Sequence, residues 1–289
     1  MFSKFTPLYL KKLELLKLSS KRAFLGQKQG GHISIKRGHG IEFSDFRQYQ
    51  IGDDPRHIDW NLYARSEKMY IKRFQEEQDI TLHLILDSSN SMFEPEIDKW
   101  QRVCEIALSL SYIASMNQDR IQIAIPGFLN GKKYSGKSSF YRILDDLKKV
   151  KMSPTKDYFK DVKTSIASAK FPGIAVFLSD FLFPQNDFQE IFNYLIGKNL
   201  DLTAIQVLGK IDLDLNSETE MLAVDSETGK EILLNLDSNS IKEYQEILNR
   251  HCLEINNFLL SRRIKFIKTD TNENLEDLMF KKIKNTIIN

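Results

Sequence analysis

The chain has 289 residues, 42% of them hydrophobic and 28% charged, and a formal net charge of +2. This composition excludes a largely disordered chain, and the longest uncharged run, Ile106 to Gln118, is shorter than the roughly 20 apolar residues of a transmembrane helix. Cys104 and Cys252 are too few and too far apart for a disulfide framework or a zinc cluster, so we predict a soluble protein of the cytoplasm.

Positive charge is concentrated at the start of the chain. Residues 1–40 carry nine Lys or Arg and a single Glu, so the rest of the chain is net negative. Thr6-Pro7 is a helix cap followed by a first-turn proline, which predicts a helix over residues 7–19 within a basic helical segment, 1–29. This segment either lies on its own domain or makes peripheral contact with an anionic membrane surface or an acidic partner. No aromatic residues interleave with its lysines, which argues against a nucleic-acid partner.

The sequence of residues 30–78 predicts that this segment forms a small, irregular annex that contains β-structure. Short strand-like stretches, IEFSDFRQY and KMYIKRF, are separated from their surroundings by glycines at Gly31, Gly38, Gly40 and Gly52. The annex is followed by a chain of different character, from residue 79 to the end.

Strands and helices alternate through residues 79–289. Four segments are apolar on both faces, as expected for parallel strands covered by helices on each side: ITLHLILD, IQIAIPGF, GIAVFLSD and DLTAIQVL. Apolar residues at helical spacing predict an amphipathic helix over 98–116. The pattern predicts an α/β fold with a doubly wound, mainly parallel sheet, whose ligands bind at the carboxyl ends of the strands.

The last third of the chain adds a hairpin and a terminal strand and helix. A hairpin insertion near residues 220–236 is predicted by two strand-like runs in EMLAVDSETGKEILLNL. Ser240 and Glu243 form a capping box for a long helix that ends near Leu260. The final strand and helix are predicted for RIKFIKT and NLEDLMFKKIKNTI.

A cluster of oxygen-bearing side chains follows the first buried strand. Asp87 stands at its carboxyl end, and Ser89 and Ser91 follow at steps of two. Such hard oxygen donors suit Mg²⁺ or Mn²⁺, and Asp180, at the end of another strand, and Thr155 lie on the same predicted rim. The residues alone leave a second interpretation open, in which Asp87 and a serine cap the following turn and helix.

A second motif predicts a different site. Gly131 to Ser138 match the G-x-x-x-x-G-K-[ST] phosphate loop, with Asp180 as the acid that helps to hold Mg²⁺ in an NTPase. However, Asn130-Gly131 is typical of a hairpin turn, and Lys132 to Ser135 fit a returning strand better than a loop around phosphates.

The annex carries its own group of charges in GDDPRHIDWNLYAR. Arg56, Asp59 and Arg65 stand at near-helical spacing around Trp60 and predict a charge network. This network either fastens the annex to the sheet or provides a second docking surface.

The chain also resembles a known group of proteins through several separated motifs. The G-x-G-x-E-F run, GDDPRHIDW, the D-x-S-x-S loop and the late VDSETGKE occur in the order typical of a bacterial domain-of-unknown-function family. That family has a von Willebrand factor A-like fold. Its members are typically encoded beside MoxR-type AAA ATPases, including in aerotolerance operons.

The resemblance implies a metal-ion-dependent adhesion site. Its ligands would be Asp87, Ser89 and Ser91, a threonine and Asp180, with Thr155 preferred over Thr164 as the threonine. A partner's carboxylate would complete the shell of the Mg²⁺ ion, and a MoxR-type ATPase is the implied partner. The resemblance therefore implies an adaptor in the assembly or maturation of other proteins, without catalysis by this chain.

Overall fold

The structure, a computed structural model, describes most of the chain. The described residues are 4–19, 41–76, 81–93, 99–151, 158–167, 173–183, 185–198, 200–213, 220–224, 231–235 and 238–288. The chain folds into two compact units, one formed by residues 24–79 and the other by residues 1–23 together with 80–289.

Helices and strands alternate along most of the chain. The helices are α1 (Pro7–Leu13), α2 (Trp60–Ser66), α3 (Lys99–Met116), α4 (Ser139–Lys149), α5 (Tyr158–Ile166), α6 (Gln185–Gly197), α7 (Lys210–Leu213), α8 (Ser238–Ser261) and α9 (Leu275–Asp277). The strands are β1 (Ile41–Gln48), β2 (Tyr70–Glu76), β3 (Thr81–Leu86), β4 (Arg120–Ile125), β5 (Leu129–Tyr134), β6 (Gly173–Ser179), β7 (Asp201–Leu208), β8 (Glu220–Val224), β9 (Glu231–Asn235) and β10 (Lys265–Asp270). Short 3-10 helices span Pro55–His57 and Asn90–Phe93, and a π-helix over Leu278–Ile283 continues α9.

The larger unit is built on a six-stranded sheet with the order β10-β7-β6-β3-β4-β5. All neighbours pair in parallel except β4 and β5, which form an antiparallel hairpin. The predicted α/β fold with a mainly parallel sheet is therefore confirmed. Because β4 pairs with one edge of β3 and β6 with the other, the strand order reverses at β3, and such a reversal opens a crevice at the carboxyl ends of the strands.

Hydrophobic cores lie on both faces of this sheet. One contains side chains of α1, α3, α4 and the C-terminal helical turns, and the other contains side chains of α5, α6 and α8. The four central strands are buried on both faces because helices cover each side, which explains their continuous apolar sequences. His83 is buried in β3, as the sequence predicted.

Helix α3 differs from the predicted amphipathic helix because it is buried nearly all round. It packs on the sheet and is also covered by α1 and α4, to which it is joined by side-chain hydrogen bonds between Ser109 and Tyr9 and between Ser115 and Ser139. Three charged residues of α3 are therefore inside the protein: Lys99, Arg102 and Glu105.

The N-terminal helix is shorter than predicted. Thr6 caps α1 by accepting a hydrogen bond from the backbone N–H of Tyr9 at 3.2 Å, but the helix ends at Leu13 and not at residue 19. The residues after α1 lie beside the C-terminal residues of the chain, and the N–H of Ser19 donates to the carbonyl of Ile287 at 2.7 Å. Tyr9 and Leu13 are buried against α3, so the described part of the basic segment packs on its own unit.

Two small antiparallel pairs complete the described structure. In the unit of residues 24–79, β1 pairs with β2 with one irregularity in register between Phe43 and Asp45. Later in the chain, β8 pairs with β9 from Glu220↔Asn235 to Val224↔Glu231.

Strand β6 approaches β3 so closely at Gly173 that a larger residue there should destabilise the protein. A Cβ at Gly173 would lie 2.6 Å from Nε2 of His83 and 2.9 Å from the carbonyl oxygen of Thr81. We expect Gly173→Ala to lower the free energy of unfolding by about 1–3 kcal/mol, because His83 is buried and the Thr81 oxygen belongs to the backbone of β3, so neither can move freely. At Gly197 a Cβ has nothing within 4 Å, so Gly197→Ala is the matched control. Urea unfolding would measure both, and equal stability of the two variants would contradict the close packing.

Candidate metal site

The candidate site lies where the strand order of the sheet reverses. Leu86 at the end of β3 pairs with Leu178 in β6, and the N–H of Asp87 donates to the carbonyl of Leu178 at 2.9 Å. Asp87 therefore leaves β3 beside the point where Asp180 leaves β6. Parallel pairing thus brings together two carboxylates that are far apart in the sequence.

The carboxylate of Asp87 is completely buried. One of its oxygens, Oδ1, accepts a hydrogen bond from the backbone N–H of Ser89 at 2.8 Å, and the other, Oδ2, accepts one from the hydroxyl of Ser179. These bonds hold the side chain in one orientation, and each oxygen keeps a further lone pair for another ligand.

The two serines of the D-x-S-x-S loop lie side by side. The hydroxyl oxygens of Ser89 and Ser91 are 3.2 Å apart, and both residues are partly exposed. Ser88 is buried and donates to the carbonyl of Pro126 at 2.9 Å, so it fastens the loop to the end of β4. Alternate residues of the loop therefore have different contacts: Ser88 binds the end of β4, whereas Ser89 and Ser91 contact each other.

The turn that carries Asp180 is rigid. Its carboxylate Oδ1 accepts from the N–H of Leu182 at 3.1 Å, and its carbonyl accepts from the amide of Gln206 at 2.8 Å. Phe181 adopts φ +53°, an uncommon left-handed conformation for a bulky residue, and it is completely buried. Such backbone strain persists only where the surrounding packing enforces it, so the position of Asp180 is tightly determined.

Lys99 contacts this turn, although the sequence analysis gave it no role. Its ammonium lies 3.0 Å from Oδ2 of Asp180 and 3.0 Å from Oδ2 of Asp212, and the lysine is only 1% exposed. Asp212 in α7 also accepts the N–H of Gly209 at 2.7 Å. The position of Lys99 at the start of a largely apolar helix was the sequence signal for a buried lysine. Its partners, Asp180 and Asp212, are far away in the sequence and could not be read from it.

Burial and neighbouring charge shift the ionisation of two of these groups. Complete burial, with the nearby negative charge of Asp180, raises the pKa of Asp87 to about 6, against the hydrogen bonds from Ser179 and Ser89. Burial acts to lower the pKa of Lys99, but the charges of Asp180 and Asp212 outweigh it and raise that pKa above its ordinary value. Among the described residues, Asp180 is paired with an ammonium, whereas the hydrogen-bond donors to Asp87 are a hydroxyl and a backbone N–H.

The threonine of the predicted site is not located by the structure. Thr155 lies outside the described residues. Thr164 lies in α5, as expected, where it is exposed and its hydroxyl donates to the carbonyl of Lys160 at 2.9 Å.

The donors at Asp87 fit a hard divalent cation. A carboxylate whose pKa is raised by burial and by a neighbouring negative charge is stabilised by a cation. The adjacent Ser89 and Ser91 hydroxyls are oxygen donors of the kind that Mg²⁺ accepts. Among the described residues, no three His, Cys, Asp or Glu side chains group as a metal site. The fit therefore depends on hydroxyls as well as on carboxylates.

The phosphate-loop interpretation of Gly131 to Ser138 does not fit the geometry. The first half of this segment is β5, which pairs antiparallel with β4, and the carbonyl of Gly131 accepts from the amide of Gln122 at 3.1 Å. Lys132 is paired with Asp146. The returning strand predicted for Lys132 to Ser135 is confirmed as far as Tyr134. The turn predicted at Asn130-Gly131 is wrong, because both residues lie within β5 and the chain turns at residues 126–128.

The charged residues of GDDPRHIDWNLYAR form local contacts. Arg56 is largely exposed and pairs with Asp54 at 2.7 Å, while Asp59 caps α2 by accepting the N–H groups of Asn61 and Leu62. Trp60 is 60% exposed and packs edge-on against Tyr63 in the same helix. Trp60 is therefore a surface residue of its unit and not a buried anchor.

Comparison with known proteins identifies a sequence family. The family described as "Protein of unknown function DUF58" matches residues 45–253. The chain is 25% identical over 234 residues to the uncharacterized protein Mb1516 of Mycobacterium bovis and to the uncharacterized protein Rv1480 of Mycobacterium tuberculosis. Each alignment covers 75% of this chain and 70% of the relative.

Two solved structures show weak similarity. The conserved hypothetical protein BatB from Bacteroides thetaiotaomicron has a TM-score of 0.44 and 13% identity, covering 72% of this chain and 98% of that one. An aerotolerance-related membrane protein from Bacteroides fragilis has a TM-score of 0.38 and 12% identity, covering 71% and 99%. In the present chain, no helix among the described residues has the length and apolarity needed to cross a membrane.

The raised pKa of Asp87 predicts a pH-dependent stability. Because its pKa is about 6 in the folded protein and near 3.8 when unfolded, the folded protein binds this proton more tightly. The contribution of Asp87 is therefore fully present below the unfolded pKa and is lost as pH rises through the folded pKa, a fall of about 3 kcal/mol in unfolding free energy. Urea unfolding across this range should show the fall in the wild type and not in Asp87→Asn.

Asp145→Asn is the control for this measurement. Asp145 is an exposed carboxylate on α4, so its replacement should leave the pH dependence unchanged. Parallel stability curves for the wild type and Asp87→Asn would show that Asp87 does not titrate in this range.

Proposed function

The chain belongs to the DUF58 family of proteins of unknown function, and from the geometry of its sheet edge we propose that it is a metal-dependent protein interaction module. The observation that carries the proposal is the buried Asp87 carboxylate beside the paired hydroxyls of Ser89 and Ser91, at the reversal of strand order. The proposal includes a von Willebrand factor A-like arrangement of the sheet.

Asp87, Ser89 and Ser91 would hold Mg²⁺, or Mn²⁺, with Asp180 and the threonine Thr155 or Thr164 completing the proposed set. The ion supplies an electrophilic position that can accept a carboxylate oxygen from another protein. The chain's own contribution is positional: Ser179 and the N–H of Ser89 orient Asp87, and Ser88 fastens the loop to β4. Partial exposure of Ser89 and Ser91 leaves the hydroxyl side of the loop open to a partner.

The proposed activity is recognition without catalysis. Among the described residues, no histidine or lysine hydrogen-bonds the hydroxyl of Ser89 or Ser91; these hydroxyls contact each other, and that of Ser89 also contacts the carboxylate of Asp87. A serine nucleophile needs an adjacent base to activate it, so these hydroxyls are better suited to ligation.

The proposed partner is a MoxR-type AAA ATPase that supplies an acidic side chain. The proposal follows from the resemblance of the sequence motifs, and the sheet edge provides the surface on which a carboxylate could be received. In this role the chain acts as an adaptor in the assembly or maturation of other proteins. A carboxylate that completes a metal shell makes partner binding depend on the metal, which gives specificity at modest contact area.

One observation favours a second candidate, a structural scaffold whose loop works without metal. Asp180 already has a cationic partner in Lys99, and the contacts of Asp87 with Ser179 and Ser89 also satisfy a capping role. The two candidates differ in whether the loop binds a divalent ion at all.

Direct metal binding tests the proposal. We expect Mn²⁺, followed by electron paramagnetic resonance and calorimetry, to bind the purified full chain at one site and to be displaced by Mg²⁺. Asp87→Asn and the double variant Ser89→Ala/Ser91→Ala should each weaken binding by about tenfold or more, because each removes ligand oxygens. Asp145→Asn, with an exposed carboxylate elsewhere, should bind as the wild type does.

The partner is tested separately with the ATPase encoded nearest to this gene. Binding of the two purified proteins should require Mg²⁺, should be abolished by chelator and should be lost in Asp87→Asn. Tight binding that is indifferent to chelator would support the metal-free scaffold instead.

A further inference from the structure

We propose that Lys99 is a built-in counter-cation that withholds Asp180 from the metal and so keeps the divalent affinity of this site low. The inference rests on the proposed function and deepens it, because it assigns different roles to the two carboxylates at the reversal of strand order. Asp87 would bind the ion directly, whereas Asp180, also a member of the proposed set, is held by an internal ammonium that must be displaced or shared before Asp180 can ligate.

The position of Lys99 is enforced by its helix. It is the first residue of α3, and the residues that follow it in that helix are buried almost without interruption. The lysine is 1% exposed, so its side chain lies inside the protein with the ammonium 3.0 Å from both Asp180 and Asp212. Long charged side chains normally reach solvent, and one that is enclosed between two carboxylates is held there by charge.

Both oxygens of Asp180 already have donors. Oδ2 accepts from Lys99 and Oδ1 from the N–H of Leu182, and the rigid turn at Phe181 prevents the carboxylate from being carried elsewhere. Direct ligation by Asp180 would have to displace or share the ammonium. Among the described residues, the donors to Asp87 are neutral groups of Ser179 and Ser89, so a cation can approach it without displacing a charged donor.

Charge adds to the effect of occupancy. Ser179, which donates to the carboxylate of Asp87, directly precedes Asp180 in the chain, so the ammonium bound to Asp180 is near any ion bound by Asp87. Like charges repel strongly in a poorly hydrated region, and at a given distance the repulsion energy of a divalent ion is twice that of a monovalent ion. Lys99 thus lowers metal affinity both by occupying a ligand and by its charge.

The effect of occupying Asp180 can be separated from the effect of positive charge, because Lys99 has a second partner, Asp212. The double variant Lys99→Met/Asp212→Asn removes one positive and one negative charge, so the net charge of the cluster is unchanged while Oδ2 of Asp180 is released. Lys99→Met leaves Asp180 as a buried carboxylate without its ammonium, so Asp212→Asn is included to keep the net charge of the cluster constant, and the fold of the variant is checked directly. Asn at position 212 can still accept the N–H of Gly209.

We expect the double variant to bind Mn²⁺ at least about tenfold more tightly than the wild type, since a ligand oxygen is gained at constant charge. Asp212→Asn alone should bind Mn²⁺ several-fold more weakly, because Lys99 then pairs with Asp180 only. Calorimetry and electron paramagnetic resonance of the full chain give both dissociation constants, and circular dichroism with thermal melting checks the fold of each variant.

The outcomes distinguish this inference from the proposed function. Equal Mn²⁺ affinity of the wild type and double variant, with binding still lost in Asp87→Asn, overturns the role of Lys99 and retains the metal site. Binding by the double variant but not by the wild type supports the role of Lys99. Absence of Mn²⁺ binding in all folded variants overturns both. If the double variant does not fold, unchanged or tighter binding by Asp212→Asn overturns the role of Lys99, and weaker binding supports it.

Discussion

The parallel pairing of β3 with β6 is the constraint on which the rest of the site depends. It places the ends of these strands side by side, so that Asp87 and Asp180 leave the sheet together at the point where the strand order reverses. Helices cover both faces of the sheet, and both carboxylates are therefore taken out of water. Two buried negative charges in one crevice are unfavourable unless protons, hydrogen bonds or cations compensate them.

The protein compensates the two carboxylates in different ways. Asp180 receives an ammonium from α3, which is shared with Asp212 of α7, whereas Asp87 receives a hydroxyl and a backbone N–H. Removing one member of a buried ion pair typically costs about 3–5 kcal/mol, so Lys99 and its partners are coupled in stability. The asymmetry leaves Asp87 as the group that gains most from a proton or a metal ion, and it faces the partly exposed serines.

Burial of charge extends beyond this crevice along α3. Arg102 donates through Nη2 to the carbonyls of Thr271 and Glu273, and Glu105 lies 3.0 Å from the ammonium of Lys4. These contacts join the helix to the loop after β10 and to the N-terminal segment. The charged residues at the start of α3 thus fasten three parts of the larger unit together, while its apolar residues fill the core beneath.

Much of the architecture was predictable from sequence because the signals are local. Continuous apolar runs identified β3, β4, β6 and β7 as buried parallel strands, and the D-x-S-x-S spacing placed Asp87, Ser89 and Ser91 in one loop. The end of α1 at Leu13 and the burial of α3 on all sides were missed, because both depend on which other elements pack against these helices.

By itself, then, the sequence determined the class of fold and the loop that carries the oxygen donors, since strand burial and residue spacing are properties of short segments. Only the tertiary structure decided which charges meet. Lys99, Asp180 and Asp212 come from separate turns, and nothing local in their surroundings specifies their contact. Their meeting follows from the order of strands in the sheet and from the burial of α3, and it decides which of the two carboxylates is free for a ligand.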